Sequence, residues 1–259
     1  MTSLPEVSVI IPTYREQENL SRLLPSLFGI LDRAELGAEV IVVDDDSRDG
    51  TAALCERLAA ADRLRLVTRR NERGLATAVL RGLREARGET CVVMDADFSH
   101  PPEVVPALVA AVRSPGCDLA LGSRYVAGGT VDPNWSWFRR LNSQAASLLA
   151  RGLTDAADPM AGFFAIKTAT LSRADVLRPL GYKIALELIV RCGCRQIVEV
   201  PIQFQNRTLG ESKLSLAQQW LYLRHLGRLY AARFMPTVFR RKLAESDAAE
   251  LRLAKRRAA

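Results

Sequence analysis

Two aspartates one residue apart, Asp95 and Asp97, are the residues in this sequence best suited to chemistry. They follow the apolar run 91–94, which is typical of a short buried strand, and Pro101-Pro102 then indicates a turn that opens a helix. Ligands of open α/β sheets bind at the carboxyl ends of the strands. Two carboxylates there can share one hard cation such as Mg²⁺, together with substrate phosphates. A D-x-D spacing arises by chance about once in a chain of this length. The predicted cation site therefore depends on the strand before the two aspartates and the proline turn after them.

A second acidic stretch, residues 44–46, directly follows the apolar run 40–43. Three adjacent carboxylates repel one another, so at least one of them should be held by a partner rich in hydrogen-bond donors. A base or a ribose would provide such donors. Alternatively, the segment caps the helix that follows, and Ser47 and Asp49 are the better candidates for that capping role.

Pro12, Tyr14 and Glu16 follow the first predicted strand, at residues 7–11. Tyr14 could stack on a base, and Glu16 could accept hydrogen bonds from it. An acidic residue near the start of a helix also complements the helix dipole, so Glu16 has a purely structural interpretation as well.

Cations occur at two further places. Arg124 follows the predicted strand 118–121, which would lie next to the strand of the aspartate pair if the strand order followed the sequence. Arg124 could then offset charge on a phosphate, or it could form a salt bridge with a carboxylate. The segment 207–213 carries Arg207 and Lys213 around a glycine and a serine, so it could act as a lid over a ligand or be an ordinary surface loop.

Strands that alternate with helices position these residues as far as residue 125. The predicted strands lie at 7–11, 40–43, 64–68, 91–94 and 118–121. This alternation predicts βαβ units and an α/β fold with a largely parallel sheet.

Beyond residue 125 the alternation breaks. We expect a helix at 138–153, strands at 163–167 and 197–202, and a long helix at about 214–239. The apolar face of the long helix is predicted to consist of Leu216, Trp220, Leu223, Leu226, Tyr230 and Phe234.

Composition limits the class of protein. Among 259 residues, 48% are hydrophobic, which is ample for a core and argues against disorder. The net charge of +7 arises in the last 36 residues, which suggests an anionic partner for the tail, and nothing indicates a nucleic-acid partner. Five scattered cysteines suggest buried free thiols in a reducing compartment. No signal peptide or membrane-spanning segment is expected.

Common nucleotide-binding and catalytic motifs are absent from the sequence. It contains neither G-x-x-x-x-G-K-[ST] nor G-x-G-x-x-G, which disfavours a P-loop NTPase or a Rossmann dehydrogenase. The two histidines, His100 and His225, suggest no Ser/His/Asp or Cys/His arrangement.

Five stretches, at 9–14, 42–51, 94–102, 122–125 and 207–213, resemble an inverting family 2 glycosyltransferase. The resemblance covers about residues 6–215 and is strongest to the dolichol-phosphate (polyprenol-phosphate) mannose synthases. It implies a GT-A, Rossmann-like α/β fold, in which a mixed, mostly parallel sheet has helices on both faces, followed here by a C-terminal amphipathic helix. It also implies a hexosyltransferase that uses GDP-mannose as donor and a polyprenyl phosphate as acceptor.

The resemblance also assigns residues to roles. The implied donor-binding residues are Pro12, Tyr14, Glu16, Val42, Asp44, Asp95, Ala96, Asp97, Arg124, Arg207 and Lys213. The implied catalytic residues are Asp97, Arg124, Arg207 and Lys213. Asp95, Asp97 and Ser99 would bind Mg²⁺ or Mn²⁺, and Arg139 and Ser143 would bind the acceptor phosphate. Ser99 stands where some relatives carry Gln and would act through water, and Asp46 adds a charge where the family usually has Gly.

The implied reaction is physically reasonable, because a lipid monophosphate has a second pKa of about 6 and needs no general base. Instead it needs cations that let one phosphate approach another. We expect direct displacement with inversion.

The expected organisation is a catalytic domain at 1–213, an amphipathic helical segment at 214–243 and a basic tail at 244–259. The helical segment would bind an anionic membrane surface, at the cytoplasmic face, or a membrane protein, unless it simply packs on the core.

Three alternatives stay open. One is transfer from a UDP-sugar to polyprenyl phosphate or another acceptor. The second is a nucleotidyltransferase that makes the sugar nucleotide and releases pyrophosphate. The third is a catalytically silent, membrane-associated scaffold.

Overall fold

The computed structural model of the protein describes residues 4–59, 63–174, 176–178, 183–205 and 216–235, with the backbone alone at 139 and 216–218. The strands are β1 (Val7–Thr13), β2 (Ala38–Asp44), β3 (Leu64–Thr68), β4 (Thr90–Val93), β5 (Leu119–Ser123), β6 (Thr130–Val131), β7 (Phe164–Lys167), β8 (Ile197–Pro201) and β9 (Gln203–Phe204). The α-helices are α1 (Gln17–Arg33), α2 (Thr51–Leu58), α3 (Leu75–Glu85), α4 (Val105–Arg113), α5 (Trp137–Ala150), α6 (Thr168–Leu171), α7 (Ile184–Arg191) and α8 (Leu216–Phe234), and a 3₁₀ turn at Pro102–Val104 precedes α4. The predicted boundary at residue 213 and the tail lie outside the described residues.

Seven strands form one sheet in the order β3-β2-β1-β4-β7-β5-β8. β7 is antiparallel to both β4 and β5, and the other pairings are parallel. The expectation of a mixed, mostly parallel sheet is therefore confirmed. The expectation that β5 lies beside β4 is wrong, because the apolar strand β7 is inserted between them. Strand order depends on long-range packing of such buried strands and does not have to follow the sequence.

Helices cover both faces of the sheet, as expected. Alternate residues of a strand point to opposite faces. Val9 and Ile11 of β1 accordingly pack in a core with α1, α2 and α4, whereas Ile10 packs in a second core with α3 and α7. This double coverage explains why the strands are continuous apolar runs rather than alternating ones.

A third, smaller core joins α5, α7 and α8. The Tyr222 hydroxyl donates to the carbonyl of Ala146 at 2.6 Å, and the Tyr230 hydroxyl donates to that of Leu149 at 2.8 Å. α8 therefore differs from the single apolar face predicted for it. Leu226 is buried in this core, whereas Trp220, Leu223 and Phe234 are exposed.

A buried ionisable pair holds α8 against α7. His225 Nε2 lies 2.8 Å from Glu187 Oε2, and both side chains are almost wholly buried. Burial alone would raise the pKa of Glu187, but hydrogen bonds from His225 and from the backbone N–H of Arg178 outweigh it and hold the pKa below its ordinary value. Glu187 therefore remains an anion inside the fold and fixes the position of α8.

All five cysteines are free and buried, as predicted. Burial raises the pKa of Cys55, Cys91 and Cys192 to about 11 and that of Cys194 to about 12, so these thiols are poor nucleophiles. Among the described residues, none of the helices has the length and apolar content needed to cross a bilayer.

Two helical glycines should respond oppositely to alanine. A Cβ at Gly82 in α3 would collide with Ile10 of β1, whereas a Cβ at Gly227 in α8 has no neighbour within 4 Å. Gly82→Ala should lower the free energy of unfolding by about 1–3 kcal/mol through overpacking. Gly227→Ala should raise it by about 0.5–1 kcal/mol through helix propensity. Urea unfolding measures both, and shifts of the same sign would contradict the packing described.

Candidate active site

A cavity of about 460 Å³ lies at the carboxyl edge of the sheet, where β1, β2 and β4 end. Its lining consists of Pro12, Thr13, Tyr14, Glu16, Asp45, Arg73, Gly74, Leu75, Ala78, Asp95, Ala96 and Asp97. The cavity thus brings together six residues that the sequence predicted to bind a donor, from the ends of β1 and β4. It has the location expected for a ligand site in an open α/β sheet.

The acidic pair is held by the turn that follows β4. The backbone N–H of Asp95 donates to His100 Nδ1 at 2.9 Å, and that of Ser99 donates to Asp97 Oδ1 at 3.0 Å. Phe98, between these contacts, has a φ of +59°. A non-glycine residue in this region stores strain, which surrounding contacts must hold in place.

The side chain of His100 holds this turn in place. Its ring is buried and stacks on Phe163, with ring centroids 5.1 Å apart. Burial lowers the pKa of His100 and outweighs the opposing effect of Asp95 and Asp97, so the imidazole is neutral and Nδ1 is free to accept the Asp95 N–H. A Cβ at Gly162 would stand 3.1 Å from His100 Cε1 and 3.9 Å from Asp95 Oδ2, so glycine keeps the space beside this carboxylate open.

The donor set fits a hard divalent cation. Asp95 and Asp97 provide carboxylate oxygens, and Ser99, whose backbone N–H donates to Asp97, carries a hydroxyl two residues further along the chain. Within the described residues, no group of three or more His, Cys, Asp or Glu side chains could hold a metal ion. Mg²⁺ usually takes one or two carboxylates and completes its coordination with water and substrate phosphates. The pair therefore suits an ion that arrives with a phosphorylated ligand, and the metal ligands stay predictions.

The acidic run after β2 has structural roles. Asp45 accepts from Arg69 Nε at 2.7 Å and from the backbone N–H of Gly74 at 2.8 Å, so Arg69 is the donor-rich partner that the sequence required. Asp44 is buried and accepts hydrogen bonds from the backbone N–H and the hydroxyl of Ser47.

Two further expectations concern this end of β2. Asp49 accepts from the backbone N–H of Thr51 at 3.0 Å and from its hydroxyl at 2.7 Å, but the N-cap of α2 is Gly50, so the prediction of Ser47 or Asp49 as the capping residue is wrong. Val42 is wholly buried in the core, and its side chain does not reach the cavity. The donor-binding roles of Val42 and Asp44 stay predictions.

Arg124 forms a buried ion pair with Asp158. Nε and Nη2 of Arg124 each lie 2.7 Å from an oxygen of Asp158, which is wholly buried. The rings of Tyr125, Trp135 and Phe204 surround the guanidinium at 5.3–5.7 Å. The salt bridge that the sequence left open is thus present. Both charges also act on His100, as do those of Asp95 and Asp97, so the ion pair and the acidic pair lie near the same imidazole.

The sequence interpretation missed Asp158. Glu199 of β8 holds the turn that carries it, because Oε2 and Oε1 accept the backbone N–H groups of Ala157 and Asp158 at 2.7 and 3.0 Å. The available signal was an aspartate followed by Pro159, immediately before the apolar strand β7.

The sequence interpretation also missed Lys183, which immediately precedes α7. Burial lowers the pKa of Lys183 to about 7, and the positive charge of Arg124 acts in the same direction while Asp158 opposes it. Lys183 therefore lies within electrostatic reach of the ion pair. A lone lysine before an apolar helix gives no sequence signal of this environment.

Ser143, one of the predicted acceptor residues, contacts the lining of a second cavity, of about 760 Å³. Ser143 on α5 accepts a hydrogen bond from the Tyr125 hydroxyl at 2.8 Å. The lining consists of Tyr125, Leu141, Gln144, Ala145, Ser147, Leu148, Arg151, Asp155, Ala156 and Ala157. Arg139 lies on α5, and Arg207 and Lys213 lie outside the described residues.

The family model for "Glycosyl transferase family 2" matches residues 8–170, which contain the whole acidic turn and Asp158. The chain belongs to glycosyl transferase family 2. The family expected from the sequence is therefore confirmed, and the expected enzyme class, a hexosyltransferase, agrees with this membership.

Family 2 proteins similar to this chain include two named "Dolichol-phosphate mannosyltransferase". The one from Pyrococcus furiosus is 44% identical over 230 residues, covering 86% of this chain and 63% of the relative. The one from Saccharomyces cerevisiae is 41% identical over 238 residues, covering 88% of each chain. The chain thus spans less than two thirds of the Pyrococcus relative.

A solved structure has the same fold. It is glucosyl-3-phosphoglycerate synthase from Mycobacterium tuberculosis in complex with Mn²⁺, uridine diphosphate and phosphoglyceric acid, with a TM-score of 0.65 and 22% identity over 90% of this chain and 80% of that one. The similarity confirms the GT-A-like α/β fold. A second structure of the same neighbour, also 22% identical to this chain, holds Mg²⁺ and uridine diphosphate.

Lys183 should make stability depend on pH in this family 2 protein. Between pH 7 and the ordinary lysine value of 10.5, the unfolded chain binds a proton that the folded chain lacks, so the free energy of unfolding should rise with pH. The expected slope is up to about 1.4 kcal/mol per pH unit, relative to Lys183→Met. Urea unfolding between pH 7 and 9.5 measures this difference, with Lys167→Met as the control. A pH-independent difference between wild type and Lys183→Met would disprove the buried environment.

Proposed function

We propose that the protein transfers mannose from GDP-mannose to a polyprenyl monophosphate, with inversion at the anomeric carbon. The names of the family 2 relatives, which are 41–44% identical over 86–92% of this chain, support the choice of substrates. The cavity that ends at Asp95 and Asp97 supports a nucleotide-linked donor.

One observation carries the proposal. The turn that carries the acidic pair is held by His100, and the charges of Arg124 and Asp158 act both on His100 and on Lys183. Such an arrangement suits a reaction between two phosphorylated reactants, because cations must offset the repulsion between them.

In the proposed reaction, a phosphate oxygen of the acceptor forms a bond to the anomeric carbon of mannose. The bond from that carbon to the diphosphate oxygen breaks, and its electron pair leaves with GDP. The acceptor phosphate is its own nucleophile, because its second pKa is about 6. Asp158 is tied to Arg124 by two hydrogen bonds, so this buried carboxylate serves to orient the cation rather than to remove a proton.

Other charges would assist the transfer. A divalent ion held by Asp95 and Asp97, with Ser99 beside them, would offset the charge that develops on the departing diphosphate. Arg207 and Lys213, which lie outside the described residues, are proposed to bind phosphate groups, and Arg139 is proposed to bind the acceptor phosphate. Their cationic side chains supply the screening that the reaction needs.

The second cavity is a proposed site for the first isoprene units of the acceptor. Leucine and alanine side chains provide much of its lining, and it begins at Tyr125, next to Arg124. Its far end reaches Leu148, which is exposed on α5. A phosphate near Arg124 and Ser143 would therefore have an apolar path for its chain.

We also propose that α5 and α8 bind the membrane that contains the acceptor, at its cytoplasmic face, directly or through a membrane protein. Their exposed apolar side chains are Trp137, Phe138, Leu141, Leu148, Leu149, Trp220, Leu223 and Phe234. Arg224 and Arg233 are exposed on the same helix α8. Exposed aromatic and leucine side chains beside arginines suit the boundary of an anionic bilayer.

Asp97→Ala tests the reaction. With labelled GDP-mannose, Mg²⁺ and a polyprenyl phosphate, the wild type should form labelled lipid and release GDP. Asp97→Ala should reduce the rate by about a hundredfold or more, because the diphosphate loses its charge partner. Glu103→Gln, an exposed acid six residues later, is the control and should retain activity. Release of pyrophosphate, preference for a UDP-sugar, or an α-linked product would reject the proposal.

Trp220→Glu tests membrane binding. Trp220 is 68% exposed on α8, so the substitution should leave the fold intact and place a charge in the bilayer boundary. Binding to vesicles with anionic lipid, measured by co-sedimentation, should fall by about tenfold. Leu4→Glu is the control, because Leu4 is 77% exposed in the N-terminal segment. Equal binding by both variants would contradict a membrane-binding surface on α8.

A further inference from the structure

The donor cavity extends beyond the acidic pair toward the connection between β3 and α3. Arg73 and Gly74 of this connection line one end, and Asp95 and Asp97 line the other. β1 lies between β2 and β4, so the two ends are separated by about two strand spacings, roughly 10 Å. A nucleotide whose diphosphate is bound beside the acidic pair could therefore place its nucleoside at the end of the cavity lined by Arg73.

Arg73 is exposed at the rim of the cavity, and its side chain contacts one aromatic ring there. Its guanidinium carbon lies 4.8 Å from the centroid of the Tyr14 ring, a cation–π contact at the rim of the cavity. The next residue, Gly74, donates its N–H to Asp45 Oδ2 at 2.8 Å and accepts from Arg69 Nη2 at 3.0 Å.

The backbone at Gly74 adds a further constraint. Its φ of +140° is a conformation that residues with a Cβ rarely adopt. The buried Arg69–Asp45 pair thus anchors a backbone turn that directs the Arg73 side chain to the cavity.

We propose that Arg73 is a specificity-determining residue that recognises the O6 and N7 edge of guanine in the donor. Arginine donates two parallel hydrogen bonds to these two acceptors, which is the commonest specific contact between a side chain and guanine. Adenine presents an amino donor in place of O6, and uracil lacks N7 altogether. The inference rests on the proposed function, because it requires a guanosine nucleotide as donor.

A simpler role for Arg73 would be to attract the diphosphate by its charge alone. That effect would strengthen binding of every nucleoside diphosphate to a similar degree and would not depend on the base. Recognition of guanine instead depends on N7, an atom that can be replaced without changing the charge of the ligand. The two roles are therefore separable by the choice of nucleotide.

The experiment measures the affinities of GDP, UDP and 7-deaza-GDP by calorimetry in the presence of Mn²⁺, for the wild type and for variants at Arg73. The ligand 7-deaza-GDP carries a C–H group in place of N7. Arg73→Met removes the donors and the charge, whereas Arg73→Lys keeps the charge but removes the planar pair of donors. Arg15→Met is the matched control, because Arg15 also contacts the Tyr14 ring, at 5.3 Å, and does not line the cavity.

We expect the wild type and Arg15→Met to prefer GDP to 7-deaza-GDP and to UDP by about tenfold or more. Arg73→Met should bind all three ligands within about twofold of one another, and Arg73→Lys should also lose most of the preference. If the preference survives in Arg73→Met, the assignment of Arg73 is overturned while the proposed donor stands. If the wild type shows no preference for GDP, both the assignment and the proposed GDP-linked donor are overturned.

Discussion

The buried ion pair between Arg124 and Asp158 is the contact on which the geometry of the site depends. A guanidinium surrounded by three aromatic rings would be costly to bury without a carboxylate on its two donor nitrogens. The pair therefore fixes the end of β5 to the turn before β7. Because the same two charges act on His100, they lie next to the turn that carries Asp95 and Asp97.

This contact exists because β7 is inserted antiparallel between β4 and β5. An antiparallel strand starts at the edge where its parallel neighbours end, so the turn that precedes β7 lies at the carboxyl edge of the sheet. Asp158 and Gly162 belong to that turn. One reversed strand thus supplies both the partner of Arg124 and the open space beside Asp95.

The sequence was sufficient to predict what depends on local pattern. Continuous apolar runs predicted the buried strands, and the segments at the ends of β1 and β4, together with the family resemblance, predicted six lining residues of the donor cavity. The roles of Asp45 and Lys183 could not be predicted, because they depend on partners distant in the chain. Arg69 lies 24 residues from Asp45 in the chain and pairs with its carboxylate, which the sequence suggested as a possible contact for a ligand. The prediction that β5 lies beside β4 was wrong for the same reason, because the packing of the whole sheet decides which strands are neighbours.

The site thus separates its charges by function. The charges that maintain the fold, such as Asp45 with Arg69 and Glu187 with His225, are buried and paired. Asp95 remains partly exposed in the cavity, and burial together with the charge of Arg124 lowers the pKa of Lys183 to about 7. An anion bound near Lys183 would favour its ammonium form and raise its pKa. The paired charges thus fix the shape of the site, whereas the charge on Lys183 depends on what is bound beside it.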